Sequence, residues 1–262
     1  MVSCFRDRLT VVTGASSGIG LALSRRFARE GARLVLVARS GDRLAALAEE
    51  IRRAGGEAQV VAADLVAEGA AERVVAAAGA GGEIEVLVNN AGVGEYGPFA
   101  EKDYAAIERM MRLNMDALTR LTHLALPAML ARRSGWILNV ASMAGFQPTP
   151  HMGVYGATKA FVRNFSLALR EETRRRGVVV SCLCPGPVRT GFFSRGGYEA
   201  RMKDFDRFSV DADWVAEKAF RALARGRALC VPGAMNQAAV FLQRFAPLTF
   251  VTRVSGRVLG PP

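Results

Sequence analysis

Tyr155 and Lys159 stand four residues apart in a segment of helical spacing, so one face of that helix carries both. An ordinary tyrosine gives up its proton near pH ~10. A neighbouring ammonium favours the phenolate and draws that value down. A tyrosine tuned in this way passes a proton to or from an alcohol oxygen. Ser142 closes the apolar run WILNVAS ahead of that helix, and its hydroxyl is able to hydrogen-bond the same oxygen. Taken alone, the Tyr–Lys pair also fits an amphipathic helix with a packed tyrosine and a solvated lysine.

A second group of residues suits a phosphate. Thr13-Gly14-Ala15-Ser16-Ser17-Gly18-Ile19-Gly20 joins the apolar run LTVVTG to a helical segment. Glycines there let the backbone turn tightly and approach a pyrophosphate, whose charge the amides at the helix start hold. The next apolar run, RLVLVA, ends at Ala38 and is followed by Arg39 and Ser40. An acid at that point would bond the ribose hydroxyls of NAD, whereas an arginine accommodates the 2′-phosphate of NADP. No Asp or Glu occupies 37–40, and Asp42 reads as a helix N-cap. The expectation is therefore NADP rather than NAD, held by Arg39 and Ser40. A nicotinamide to carry hydride, beside a group to handle the proton, makes a hydride-transfer site.

The elements that must position these residues alternate along the chain. Strand candidates are 9–14, 33–38, 58–63, 84–90, 136–142, 178–186 and 228–233. Between them run helical stretches at 21–30, 42–54, 70–78, 103–133 and 153–176, several stopped by a glycine such as Gly31 or Gly177. Strands separated by helices mean βαβ units. Right-handed crossovers then give an α/β fold with a doubly wound parallel β-sheet of about seven strands and helices on both faces.

The motifs in this order resemble those of the short-chain dehydrogenase/reductase family: TGxxxGIG at 13–20, Asn89-Asn90-Ala91-Gly92, Ser142, YxxxK from Tyr155 to Lys159, and Pro185-Gly186 with Thr190. The resemblance covers roughly residues 8–191. It implies a Rossmann-like fold and an oxidoreductase acting on CH–OH and C=O groups. It implies catalytic roles for Ser142, Tyr155, Lys159 and Asn114, with Lys159 also on the nicotinamide ribose and Asn114 holding a water. The cofactor is expected against Gly14, Ser16, Ser17, Gly18, Ile19 and Gly20 in the first turn, and Arg39 and Ser40 in the second. Asp64 and Leu65 follow the third strand, with Asp64 on the adenine. Asn90, Ala91 and Gly92 follow the fourth, and Pro185, Gly186, Val188 and Thr190 the sixth. One departure stands out: many NADP-using relatives carry a basic residue just before the second glycine, where this chain has Ser17.

Composition narrows the partners. The 262 residues carry a formal charge of +11, from 35 basic side chains of which only Lys102, Lys159, Lys203 and Lys218 are lysines. Arginines spread along the whole chain do not form a nucleic-acid patch. Cys182 and Cys184 share one strand face, and with Cys4 and Cys230 they read as free thiols in a reducing, cytoplasmic setting. The cysteines and the two histidines offer no metal-ligand spacing, so no metal is expected. There is no transmembrane run and no signal-peptide core.

The substrate side is apolar. Residues 145–152 should line the pocket, with His151 read as a polar loop residue. Phe192, Phe193, Tyr198, Met202 and Phe205 surround Gly196-Gly197, which suggests a glycine-hinged lid at about 190–210 or a surface helix packed on the core. No acid follows Glu217, and residues 235–262 mix arginines with Phe241, Phe245 and Phe250. That extension reads as an oligomer contact or pocket cover in preference to a membrane-surface segment. The whole chain, 1–262, is expected to form one domain. Its partners would be a small apolar carbonyl or alcohol substrate and further copies of itself, as a homodimer or homotetramer. A 3-oxoacyl-carrier reductase and a cofactor-binding scaffold or sensor without turnover stay open as alternatives.

Overall fold

The structure is a computed structural model that describes residues 4–192 and 209–260. Phe193, Tyr198, Met202, Phe205 and the Gly196-Gly197 pair lie outside the described residues.

Seven strands form one parallel sheet in the order β3-β2-β1-β4-β5-β6-β7. They are β1 (Leu9–Thr13), β2 (Arg33–Ala38), β3 (Glu57–Ala62), β4 (Val86–Asn89), β5 (Gly135–Val140), β6 (Val178–Leu183) and β7 (Leu229–Cys230). β1 pairs on one side with β2 and on the other with β4, so the chain reverses its direction of travel across the sheet there. The carboxyl ends of strands flanking such a reversal form the crevice in which ligands bind.

β-branched and leucine residues dominate these strands because both faces are covered. Val12, Leu34, Leu36, Val86 and Val88 pack against Leu23 and Phe27 of α1 (Gly18–Arg29), Leu44 and Leu47 of α2 (Gly41–Arg53), and Val215 and Phe220 of α7 (Ala212–Ala224). The alternate residues Val11, Val35, Val37 and Leu87 pack on the other face. Their partners there are Val74 of α3 (Ala70–Gly79), Leu121 and Met129 of α5 (Leu118–Ala131), and Leu169 of α6 (Gly153–Thr173). Each such side chain taken fully out of water contributes about 1.5–3 kcal/mol. Phe5 joins the first face, its ring 5.2 Å from Phe27 and 5.0 Å from Phe220.

Three local departures from the sequence reading stand out. The stretch 103–133 is α4 (Tyr104–Met111), a π-helical turn over Arg112–Ala117, then α5, where one helix was expected. The Asp103 carboxylate caps α4 by accepting from the Ala105 amide at 3.1 Å. α2 starts after Ser40, which leaves Asp42 inside the first turn rather than at the N-cap. There its charge still suits the positive end of the helix. The last strand shrinks to two residues, as far as its pairing with β6 extends. After β7 come α8 (Ala234–Leu242) and α9 (Leu248–Leu259), separated by Pro247.

Candidate active site

The turn after β1 is shaped by two glycines with positive φ, +67° at Gly14 and +56° at Gly18. A Cβ on Gly18 would stand 2.8 Å from the Thr190 methyl carbon, and one on Gly20 would stand 2.3 Å from the Gly14 carbonyl oxygen. A side chain at Gly20 would have to move backbone, and one at Gly18 would have to displace Thr190 as well as adopt a positive φ. Asn90 closes the turn from β4, donating from Nδ2 to the Thr13 carbonyl at 2.8 Å. The Thr13 hydroxyl accepts from the Asn90 and Ala91 amides, both at 3.0 Å. Thr13 thus ties the two strands that flank the switch point, a role that one threonine in a strand does not announce.

Above these strand ends lies a cavity of about 970 Å³. Gly14, Ser16, Ser17, Gly18 and Ile19 line it from the first turn, Arg39 and Ser40 from the second, and Asp64 and Leu65 from the third. Asn90, Ala91 and Gly92 add the fourth turn, and Pro185, Gly186, Val188 and Thr190 the one after β6. Gly20 is not among the lining residues; it is buried beneath Gly14, where it lets the turn close.

Arg39 is exposed at one end of this cavity. Arg109 stands there too, donating to the Asp64 carboxylate at 2.7 Å. Partial burial works against the charge on Asp64, but the Arg109 hydrogen bond and the Val66 amide outweigh it and hold the carboxyl below its ordinary value. Among 31 arginines nothing in the sequence marks Arg109; it becomes visible only when the fold brings α4 within reach of the Asp64 carboxylate.

Ser142, Tyr155 and Lys159 meet on the opposite side of the switch point, all three lining the cavity. Ser142 follows β5 and caps a short 3₁₀ turn, its Oγ accepting from the Ala144 amide at 3.1 Å. Tyr155 and Lys159 are buried on successive turns of α6. The Lys159 Nζ donates to the Val140 carbonyl at 2.9 Å and lies 5.8 Å from the Tyr155 ring centroid. Burial pushes the Tyr155 hydroxyl up to about 12, with a hydrogen bond to Ser142 pulling the other way. Burial also takes the Lys159 ammonium down to about 8. The expected depression of the tyrosine by the lysine is absent here, because desolvation is the largest influence on each group.

Asn114 sits in the π-helical turn, buried and outside the cavity lining. Its Oδ1 accepts from the Val93 amide at 3.0 Å. Its Nδ2 donates to the Val93 carbonyl at 2.9 Å and to the Thr158 hydroxyl at 3.0 Å. The extra residue of a π turn re-aims a side chain, and here the amide clamps the segment following Gly92 to the helix carrying Tyr155. Gly92 fits between them: a Cβ there would meet Asn114 Oδ1 at 3.1 Å and Lys159 Nζ at 3.2 Å. Behind the site, Asn89 donates to Thr122 at 3.0 Å and to Asn139 at 2.9 Å, and Asn139 donates to Ser166 at 2.9 Å. Cys182 and Cys184 are free, buried thiols with their sulfurs 3.7 Å apart.

The third wall comes from the C-terminal helices: Val240 and Leu242 of α8, and Phe250, Val251, Val254, Ser255, Val258 and Leu259 of α9. Tyr96, after β4, pins the end of α9 by donating from its hydroxyl to the Leu259 carbonyl at 2.6 Å. His151 is not in the lining; its backbone has φ +63° and its ring lies 5.9 Å from that of Tyr96.

Residues 8–197 match the family model for short chain dehydrogenase. The chain belongs to the short-chain dehydrogenase/reductase family. Its members are oxidoreductases that act on alcohol and ketone groups, and the chain is such an enzyme. A very-long-chain 3-oxoacyl-CoA reductase of Anas platyrhynchos is 38% identical over 185 residues, 69% of this chain and 59% of that protein. Among solved structures, a short-chain dehydrogenase from Sphingobium yanoikuyae in complex with NADPH is 34% identical, with a TM-score of 0.82 over 91% of this chain and 94% of the other. A Burkholderia phymatum member in complex with NAD is 28% identical, with a TM-score of 0.83 over 92% of this chain and 94% of the other.

Proposed function

We propose that this enzyme uses NADP to interconvert a ketone and a secondary alcohol on a bulky, apolar substrate. The observation that carries the reading is the cavity itself. It has a glycine cradle with Arg39 at one end, Ser142 and Tyr155 across the sheet, and a wall of apolar helix beyond them.

The cradle fits a dinucleotide, since Gly14 and Gly18 leave backbone where a Cβ would fill space. Arg39 and Ser40 would hold the 2′-phosphate, because no acid stands at the end of β2 to bond free ribose hydroxyls. The Sphingobium yanoikuyae relative supports NADPH, while the Burkholderia phymatum relative shows that the same fold takes NAD. Bound, the cofactor supplies or receives the hydride. Ser142 orients the substrate oxygen by hydrogen bonding, and Tyr155 Oη moves the proton at that oxygen. With its hydroxyl pushed up to about 12, Tyr155 rests in the protonated form at neutral pH, which favours proton donation to a ketone. Lys159, anchored on the Val140 carbonyl, keeps a cationic donor next to Gly92. Asn114 acts as a positioning residue, holding the Val93 backbone and the Thr158 hydroxyl of α6 at fixed separation.

A 3-oxoacyl thioester of long chain is a second reading within this class, favoured by the Anas platyrhynchos relative. The test is consumption of NADPH and of NADH over a carbonyl panel running from small ketones to aromatic, steroid-like and long-chain 3-oxoacyl compounds. Faster turnover of the bulky compounds with NADPH is the expected result. A preference for NADH, or for small charged acids, refutes the reading.

A further inference from the structure

The C-terminal helices do more than close the cavity. Met235 and Phe241 of α8, Phe245 in the link, and Leu248, Phe250, Val254 and Val258 of α9 are all exposed, several by more than half; Phe245 reaches 74% and Val258 66%. Isolated exposed apolar residues need no explanation, but this many on two consecutive helices form a patch that does. Phe250, Val254 and Val258 recur every four residues on α9 and also line the cavity, so the patch begins at the mouth. Arg253 and Arg257 form the adjoining stripe, about 100° round the helix. Both are exposed, as is Arg244. No Asp or Glu occurs after Glu217.

That charge pattern discriminates between occupants. A two-fold contact places a patch upon its own copy. Here it would set arginines against arginines, with no acid in the segment to separate them. A surface bearing anionic groups over an apolar phase satisfies both stripes together: the aromatic and aliphatic side chains enter the acyl boundary while the arginines meet phosphates and carboxylates. At 12 residues α9 is too short to span a bilayer, so it would lie along the surface.

We infer that α8 and α9 form a docking face for an anionic lipid surface, with Phe241, Phe245 and Leu248 inserted and Arg244, Arg253 and Arg257 on the headgroups. Docking in this pose sets the mouth of the cavity against the bilayer. The inference stands on this surface alone and does not depend on which carbonyl compound the enzyme turns over.

The experiment uses the full chain in flotation assays with phosphatidylcholine vesicles, with and without phosphatidylserine. Sedimentation velocity without lipid runs alongside. The expected result is partition onto the phosphatidylserine vesicles that weakens as salt rises, since exposed charges are screened within about 10 Å at 0.1 M ionic strength. Arg253→Glu with Arg257→Glu should lower the partition by about thirtyfold or more, at about 1 kcal/mol for each basic residue lost near such a surface. Phe245→Ser with Leu248→Ser should release the protein from vesicles while NADPH binding persists, because neither residue lines the cavity. The salt series on the unaltered chain needs no variant to fold. Absence of binding at low salt overturns the inference, as does equal binding to vesicles without phosphatidylserine. So does a self-associated species that Phe245→Ser with Leu248→Ser breaks apart, which would assign the face to a second copy.

Discussion

The turn after β1 and the helix α9 line one cavity, and they are held by different means. The turn is backbone against backbone: Gly14 and Gly18 have positive φ, Gly20 lies against the Gly14 carbonyl, and Thr13 and Asn90 stitch β1 to β4. A single added methyl group collides there. α9 is attached by side chains, through the Tyr96 hydroxyl on the Leu259 carbonyl and the contact of Gln147 with Ser255 at 3.5 Å. Its rim of Phe250, Val254 and Val258 is half in water. A rigid wall suits a ligand of fixed shape such as a dinucleotide. A wall of exchangeable apolar side chains suits a substrate whose only fixed feature is a carbonyl group. Tyr155, Ser142 and Lys159 stand where the two walls meet, and the comparison predicts that substitutions will act more selectively the further they lie from that meeting point.

The largest effect should come at the junction. Tyr155→Phe removes the hydroxyl and keeps the buried ring. Turnover should drop by about 10²- to 10⁴-fold with every substrate, the usual contribution of a positioned general acid. Cofactor affinity, measured by fluorescence titration, should be retained. A variant with near-normal turnover would remove the tyrosine from the chemistry.

On the rigid wall, Arg39→Ala should cost NADPH about 1.5–3 kcal/mol, the worth of a hydrogen bond to a charged group, and leave NADH binding as it was. Equal losses for both cofactors would make Arg39 one surface cation among many. Arg109→Ala gives a sharper version, since it frees Asp64 at the same end of the cavity. An unpaired carboxylate there should repel a 2′-phosphate and narrow the difference between the two cofactors.

Lys159 ties function to stability in opposite directions. Its ammonium titrates at about 8 when folded, against 10.5 for the ordinary group. Below pH 8 both folded and unfolded chains carry the proton, and the folded one bears the full cost of burying it. Between pH 8 and 10.5 the unfolded chain binds more protons, so stability rises with pH in that window and the cost is gone above it. The shift corresponds to about 3 kcal/mol, less about 1 kcal/mol for the hydrogen bond to Val140. Lys159→Met should therefore be inactive yet melt higher at pH 7, by about 2 kcal/mol or several degrees. That advantage should fade by pH 10.5. A lower melting temperature at pH 7 would show the charge to be well solvated or well paired.

The same contrast explains what the sequence revealed. β2 was legible to the residue, as RLVLVA from Arg33 to Ala38, because a strand buried on both faces is a continuous apolar run between turn residues. The glycines were legible because no other residue fits their places. The π turn was not: shifting the hydrogen-bond ladder by one residue leaves no mark in side-chain type, so Asn114 could be located but its grip on Val93 could not. Arg109 carries no signal apart from packing. The C-terminal helices showed their apolar and basic residues plainly, but a linear pattern does not say which stripe of α9 faces the cavity and which faces water.

The smallest predicted effect lies furthest along the side-chain wall. Val254 lines the cavity and is 43% exposed, so truncating it removes roughly half of the contact that a fully enclosed valine would give. Two methylene equivalents are worth about 1.6 kcal/mol when fully buried. Val254→Ala should therefore weaken a bulky ketone by less than about 1 kcal/mol, seen as a rise of at most about fivefold in KM. kcat should hold, because the residue makes no contact that strengthens in the transition state. A small ketone that does not reach α9 should be unaffected, and so should NADPH. A variant that changed all three would mean that α9 is coupled to the backbone of the cradle, and the division between the two walls would fail.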